Sequence, residues 1–182
     1  MAPHTFTSVD ELLGAVEGLG ERFGDEDIPA RAHLLQTAEI LARRHPDDPG
    51  LVAAGLVHDL ASALDPATAD HAAAGAALVA PLLGDRVATL VAGHTDAKRY
   101  LVTTEPAYGA GLSTASTHSL VLQGGVMTPA EAAAFAARPD RPALLELRRA
   151  DDAAKVPGRV VAPASHWRTV LEVVATRAGA GR

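Results

Sequence analysis

Hydrophobic residues recur along most of the chain with helical spacing, and the alternation typical of half-buried strands is nearly absent. A capping box at residues 8–11 predicts a first helix. A second is predicted from after Pro29 to about residue 44, where His45-Pro46 ends it. A third, over about residues 50–60, is apolar on nearly every side and should lie at the centre of an all-α protein.

The second half of the chain carries further helix signals. An N-cap residue followed by proline, Asp65-Pro66, predicts the start of a fourth helix, which carries His71 and is broken at residues 81–84. Residues 85–98 predict a fifth, which carries His94. Three more are predicted after the capping box at residues 128–131, after Asp140, and over about residues 163–178.

Residues 100–127 differ in texture, because they are rich in Gly, Ser and Thr. We predict mostly loop here, around one short helix at about residues 114–122. Loops of this length inside a compact domain usually bind ligands or act as lids, so we expect this one to bind substrate. With no internal repeat and no linker, residues 1–182 should form a single domain.

Composition narrows the classes of function. The absence of cysteine excludes disulfides and thiolate ligands and fits the cytoplasm, and no apolar segment of transmembrane length is free of charge or proline, so we expect no membrane anchor. A net charge of -6 and 3% aromatic residues argue against nucleic-acid binding. The expected partner is a small molecule. The oligomeric state stays open, with a monomer favoured.

Two polar residues, His58-Asp59, end the most apolar predicted helix, where they are costly unless they find partners. For an isolated pair, capping of the helix end and a mutual hydrogen bond would be the better explanation. The pair is not isolated, because four more metal-ligating residues stand in apolar or small surroundings on other predicted helices, namely His33, His71, His94 and Asp151.

Metal binding is the simpler account of this set, since four histidines and two carboxylates on five helices cannot easily satisfy one another. Imidazole and carboxylate without sulfur suit Fe, Mn, Zn or Ni. Adjacent His58 and Asp59 would let the carboxylate bridge two ions while the imidazole binds one. The spacing of Lys98 from His94, and of Arg148 from Asp151, puts each cation on the same helix face as a candidate ligand.

The pattern of a helical His, an adjacent His-Asp and a distant Asp resembles the HD-domain superfamily. His71 and His94 match the extra pair of its two-metal members. Longer blocks are similar to the mixed-valent di-iron HD oxygenases of the PhnZ/TmpB type, and they cover residues 93–101, 112–116, 119–125 and 147–155. The resemblance spans about residues 23–155, which it implies is the metal-binding core of a helical HD-domain bundle.

The resemblance implies an oxygenase with two iron ions and O2 as co-substrate. Such an enzyme is expected to cleave the carbon-phosphorus bond of a 1-hydroxylated 2-amino- or 2-trimethylammonio-ethylphosphonate, or of a close analogue, and to release phosphate and a carboxylate. One iron is expected on His33, His58, Asp59 and Asp151, and the other on His71 and His94, with Asp59 bridging. Family positions that hold the phosphonate match Lys98, Ser116, Gln123 and Arg148. Asp59, His58 and Lys98 are the residues expected to carry the chemistry.

From spacing alone, Lys98 and Arg148 would be ordinary solvated or salt-bridged residues. Ser116 and Gln123 would be helix caps or loop contacts, and the equally polar Ser113 and Ser119 are not distinguished from them. Lys155, four residues after Asp151, is expected to be its salt-bridge partner.

The chain departs from this family at two positions. Phe23 stands where the family has a Tyr that touches iron, and a phenyl ring cannot ligate a metal. Glu26 remains and could attract a substrate amine, although a solvated acidic turn explains it equally well. Ser62 stands where a further His usually contacts the substrate, which opens space. Both departures bear on the substrate more than on the metals.

Two other functions fit the pattern of histidines and aspartates taken without the longer blocks. One is a metal-dependent phosphohydrolase acting on a nucleotide or phosphate monoester, because most of the superfamily cleaves phosphate esters. The other is a metal-binding or sensor domain without catalytic activity.

Overall fold

The computed structural model describes residues 5–20 and 28–181, which form α-helices, one 3-10 turn and no β-strand. The predicted all-α class is confirmed. The helices in chain order are α1 (Val9–Gly18), α2 (Ala30–Arg44), α3 (Pro49–Val57), α4 (Leu60–Leu64), α5 (His71–Thr104), α6 (Pro106–Ala110), α7 (Thr114–Leu122), α8 (Pro129–Ala136), α9 (Arg141–Ala153) and α10 (Arg168–Ala180).

Helix α3 lies at the centre of the bundle, as its uniform hydrophobicity predicts. Asp48 caps its start by accepting a hydrogen bond from the Leu51 amide at 3.0 Å, and Pro49 occupies the first turn. Every residue of α3 after Pro49 is buried. The helix packs against α2, α5, α9 and α10, so the ends of these helices can contribute side chains to a common site at its C-terminus.

Helix α3 ends at Val57, three residues before the predicted end, so the prediction of one helix through Leu60 was wrong. Asp59 leaves the helical conformation (φ -107°, ψ 12°), and a new helix, α4, begins at Leu60. Adjacent side chains on a regular helix point about 100° apart. The break at Asp59 lets His58 and Asp59 point into the same site.

The predicted start of the next helix at Asp65-Pro66 was also wrong. The Asp65 carboxylate accepts a hydrogen bond from the Ala67 amide at 3.0 Å, which makes a local turn instead of a helix cap. Helix α5 begins at His71, where Asp70 is the N-cap and accepts from the Ala73 amide at 2.9 Å. His71 therefore occupies the first turn of α5.

The break predicted at residues 81–84 is a kink at Gly84 within α5 (φ 77°, ψ 175°). Beyond it the helix continues to Thr104 instead of ending near Lys98, because nothing before Glu105-Pro106 interrupts it and Leu101 anchors it in the core. The long loop predicted over residues 100–127 is therefore mostly helical. The short helix expected inside it is confirmed as α7, capped by the Ser113 hydroxyl, which accepts from the Ser116 amide at 3.0 Å.

Predictions of helix ends were partly right. The capping box at Thr128 is present in full, whereas at the start of α1 the Glu11 carboxylate accepts from the Thr7 amide (3.1 Å) instead of closing on Ser8. Asp140 precedes α9, but its carboxylate accepts from Arg138 and caps nothing. The last predicted helix begins as a 3-10 turn, Ala164–Trp167, and continues as α10.

Among the described residues, one helix, α5, is long and apolar enough by length and composition to cross a membrane. It is bent at Gly84, contains Pro81, and buries His94 and Lys98 among the other helices. These properties are those of a core helix in a bundle.

Gly84 supports a specific prediction of stability. Its backbone conformation is essentially confined to glycine, and an added Cβ would lie 2.8 Å from the Ala178 Cβ. We expect Gly84→Ala to lower the free energy of unfolding by about 2 kcal/mol or more, from backbone strain plus overpacking. Urea denaturation checks this value. Gly14→Ala is the control, because it adds a Cβ to open space within α1 and should stabilise by roughly 0.5–1 kcal/mol. Equal stability of the Gly84 variant and the parent would contradict the strain argument.

Candidate metal centre

Two groups of ligand atoms converge where α2, α3, α5 and α9 meet. His33, His58 and Asp59 form one group, and Asp59, His71 and His94 form the other, with the ligand atoms of each group within 4.8 Å of one another. Asp59 belongs to both. The structure therefore brings together the residues that the sequence predicts as ligands of two metal ions.

The two carboxylate oxygens of Asp59 face different groups. Oδ1 lies 3.2 Å from Nε2 of His94 and 3.4 Å from Nε2 of His71. Oδ2 lies 3.5 Å from Nε2 of His58 and 3.8 Å from Nε2 of His33. Donor atoms that share one ion through bonds of about 2.1 Å lie roughly 3 Å apart, so this division of oxygens suits a bridging carboxylate.

Backbone carbonyls fix the orientation of three imidazoles. Nδ1 of His33 donates to the carbonyl of Ala154 (3.0 Å), and Nδ1 of His58 donates to that of Gly55 (2.9 Å). His94 donates in the same way to Val91 at 2.7 Å. A carbonyl can only accept, so each neutral ring leaves a lone pair on Nε2, directed into the site. This arrangement is the usual support of metal-binding histidines.

The first pair of rings provides a test of whether a metal fits. Nε2 of His33 and Nε2 of His58 lie 3.3 Å apart, and when the rings are neutral each is left as an acceptor by its carbonyl partner. Two facing lone pairs repel unless a proton or a metal ion lies between them. His71 and His94 repeat the spacing, also at 3.3 Å between Nε2 atoms. The donor set therefore fits a pair of cations.

Asp151, near the end of α9, completes the first group. Its Oδ1 lies 3.3 Å from Nε2 of His33, and its Oδ2 lies 3.5 Å from Nε2 of His58. Oδ2 also forms an ion pair with Nη1 of Arg148 at 2.7 Å. The buried Asp151 carboxylate is thus shared between the candidate metal site and a cation one turn earlier on α9.

The electrostatics of the site favour positive charge between the two carboxylates. Burial opposes protonation of His58, but Asp59 and Asp151 outweigh it and raise the His58 pKa to about 9. Burial also opposes ionisation of Asp151, yet Arg148 and His58 hold its pKa well below the usual range. The pKa of Asp59 is lowered in the same way, against burial, by His58 and His94. Both carboxylates are therefore anionic at neutral pH.

A cavity of about 320 Å³ opens onto these ligands. One part of its lining, called the cationic wall below, carries cations, hydroxyls and one amide, and consists of Lys98, Arg148, Lys155, Ser116, Ser119 and Gln123. Nζ of the buried Lys98 donates to the Ser119 hydroxyl at 2.8 Å. Burial, aided by repulsion from Arg148, lowers the pKa of Lys98 to about 8. Metals on one side and cations on the other would hold an anion between them.

Two lining residues were missed or misread at the sequence level. Lys155 was expected only to pair with Asp151, which lies 4.0 Å from its Nζ, but Lys155 also lines the cavity and donates to the Ser116 hydroxyl at 2.8 Å. The sequence did not show which of Ser113 and Ser119 would line the cavity, because both are serines in the same polar segment. The position of Ser119, three residues after Ser116, places it on the same face of α7, whereas Ser113 caps the helix.

The remaining candidates have different outcomes. Gln123 lines the cavity, and its Oε1 is buried without a hydrogen-bond partner among the described residues. Ser62 also lines it and donates its hydroxyl to the Asp59 carbonyl at 2.9 Å. Phe23 and Glu26 lie outside the described residues.

Comparisons with known proteins agree with this geometry. Residues 31–153 match the family described as HD domain. The chain is 34% identical to a hydroxymethylphosphonate dioxygenase of Gimesia maris over 174 residues, covering 90% of this chain and 86% of that protein. It is 32% identical to the glycine-betaine-forming [1-hydroxy-2-(trimethylamino)ethyl]phosphonate dioxygenase of Leisingera caerulea, covering 81% of each. The chain therefore belongs to the HD domain family, in the group that contains these phosphonate dioxygenases.

Proposed function

We propose that the protein is a di-iron, O2-dependent oxygenase that cleaves the carbon-phosphorus bond of a 1-hydroxylated phosphonate and releases phosphate and a carboxylate. The observation that carries the proposal is the position of Asp59, which divides its oxygens between two histidine pairs beside a cation-lined cavity. The relatives named phosphonate dioxygenases support the same reaction, so the protein is an oxidoreductase. The proposed substrates include the 2-amino and 2-trimethylammonio compounds and hydroxymethylphosphonate.

The residues divide the work by chemical type. His33, His58, Asp59 and Asp151 would hold one iron, and His71, His94 and Asp59 the other. When bound, the iron pair supplies oxygen activation and Lewis acidity toward the C1 hydroxyl. Lys98 and Arg148 bind the phosphonate oxygens and offset the charge that the leaving phosphate carries. Ser116 and Gln123 orient the anion from α7 and its C-terminal end.

The balance of the reaction requires no other reactant. Both atoms of one O2 enter the products, since a hydroxyphosphonate and O2 together contain the atoms of the carboxylic acid and phosphate. Carbon C1 is oxidised and O2 is reduced. We therefore expect one O2 consumed per phosphate released, without an added reductant.

A metal-dependent phosphohydrolase is the second candidate, because the HD domain match and the histidine-carboxylate cluster fit that class as well. The oxygenase requires O2 to release phosphate, whereas the phosphohydrolase does not. We expect iron-loaded protein to release phosphate from hydroxymethylphosphonate or 1-hydroxy-2-(trimethylamino)ethylphosphonate in air and to stop under nitrogen. Phosphate assays and an oxygen electrode measure this. Equal release under nitrogen, or turnover of p-nitrophenyl phosphate alone, would support the hydrolase instead.

Metal content tests the ligand assignment separately from turnover. We expect two irons per chain, about one after His71→Ala, and less than one after Asp59→Ala, because Asp59 contacts both groups. Elemental analysis gives the stoichiometry, and low-temperature electron paramagnetic resonance of partly oxidised protein should show a coupled Fe(II)/Fe(III) pair. His45→Ala is the control, since His45 pairs with Glu146 (3.1 Å) away from the site. Loss of only one iron from Asp59→Ala would argue against a bridge.

The lowered pKa of Lys98 predicts a dependence on pH. A lysine is charged below its pKa, so the phosphonate contact is complete below about pH 8 and is lost as the pH rises through that value. Above it, the affinity of metal-loaded protein for methylphosphonate should fall by up to about tenfold per pH unit. Calorimetric titrations from pH 6.5 to 9.5 measure this. In Lys98→Arg the side chain stays charged over this range, so the pH dependence of its affinity reports only the titration of methylphosphonate itself. If the parent and Lys98→Arg show the same pH dependence, the role of Lys98 is contradicted.

A further inference from the structure

Asp152 and Tyr108 lie behind the cationic wall, and neither is among the proposed metal ligands or phosphonate contacts. Neither lines the cavity, whereas Arg148 does. The Asp152 carboxylate accepts from Nε of Arg148 at 3.0 Å and also from its Nη2. The Tyr108 hydroxyl donates to Oδ2 of the same carboxylate at 2.6 Å.

We infer that Asp152, held in place by Tyr108, is a positioning residue that fixes the Arg148 guanidinium so that its remaining N–H groups face the oxyanion of the substrate. The inference rests on the proposed function only in identifying that oxyanion as a phosphonate. It assigns no contact between Asp152 and the substrate.

The donor inventory of Arg148 supports this role. A guanidinium has five N–H groups in a rigid plane. Asp152 occupies one on Nε and one on Nη2, while Asp151 forms an ion pair with Nη1 at 2.7 Å. The N–H groups that Asp152 does not take lie in the same plane, which the two-point contact with Asp152 and the ion pair with Asp151 hold in place. A cation aligned by two partners recognises a tetrahedral oxyanion with less loss of entropy than a mobile one.

The arrangement also explains how cations can gather beside the cavity. Arg148, Asp151 and Asp152 are at i, i+3 and i+4 on one face of α9. Asp152 lies 3.9 Å from Nζ of Lys155 as well, so its charge lies between two cations of the wall. Removing that charge would leave Arg148 paired with Asp151 alone, and free to rotate about that contact.

Tyr108 connects this pair to another part of the bundle. It lies on α6, which packs against α5, while Asp152 lies on α9. A phenolic hydroxyl bound to a carboxylate at 2.6 Å is a short, charge-assisted hydrogen bond that restricts rotation of the carboxylate. Asp152 is therefore fixed from one side by Tyr108 and from the other by Arg148.

Equilibrium binding of methylphosphonate to metal-loaded protein tests the inference without turnover, because this probe lacks the C1 hydroxyl. We expect Asp152→Asn to weaken binding at least tenfold and Tyr108→Phe two- to fivefold, with metal content unchanged in both. With a hydroxyphosphonate substrate, KM should rise more than kcat falls. The controls are Glu105→Gln, which removes the carboxylate partner of Arg149 on the solvent side, and Tyr100→Phe, whose ring stacks on Phe135. Both should bind as the parent does.

A double-mutant cycle separates positioning from general structural damage. Lysine cannot take the planar two-point contact, so in an Arg148→Lys background Asp152→Asn should cost less than twofold. An unchanged affinity in Asp152→Asn, an equal loss in both backgrounds, or a parent protein that binds no methylphosphonate would each overturn the inference. If Asp152→Asn fails to fold, the same cycle with Tyr108→Phe decides. Tight binding without oxygen-dependent phosphate release would reject the proposed function and leave this inference standing.

Discussion

Facing imidazole nitrogens at the C-terminal end of α3 are the constraint on which the rest of the structure depends. His33 and His58 each donate through Nδ1 to a carbonyl, which, when the rings are neutral, leaves two Nε2 acceptors 3.3 Å apart in a buried site. Two facing lone pairs repel unless a proton or a metal ion lies between them, so the arrangement fits a cation-binding site. Two local features bring the other ligands to the same place. Asp59 leaves the helical conformation and contacts both histidine pairs, and the Asp70 cap starts α5 at His71.

Charge is organised around this centre in layers. Asp59 and Asp151 face the candidate metals, Arg148 contacts Asp151 from the opposite side, and Asp152 in turn contacts Arg148. Asp151, Arg148 and Asp152 therefore each have a partner of opposite sign within the described residues. Such alternation lets buried ions coexist, because the attraction between neighbouring charges offsets part of the desolvation penalty of each ion. An anion in the cavity would add one more layer, between the metals and Lys98.

Much of the fold and of the candidate site could be predicted from the sequence, because both depend on patterns with a clear period. The apolar run of α3, the capping box of α8 and the polar residues on apolar helix faces are local signals. The ends of elements were harder. Asp65-Pro66 has the composition of a helix start, but Asp65 makes a turn and Asp70 caps the helix. Asp152 and Tyr108 carry no sequence signal of their function, since 44 positions separate them and only the tertiary fold joins them.

Helix α7 shows why the substrate side was the least predictable part. Its polar residues Ser116 and Ser119 line the cavity, while Val121 and Leu122 are 73% and 77% exposed, although Leu122 also borders the cavity. This reverses the usual amphipathic pattern, so periodicity gives no signal that the helix belongs to a bundle. Lys98 and Lys155 donate hydrogen bonds to Ser119 and Ser116, which connect this helix to α5 and to the segment after α9. An anion bound by the same lysines must either join those hydrogen bonds or compete with them, which couples occupancy of the cavity to the position of α7.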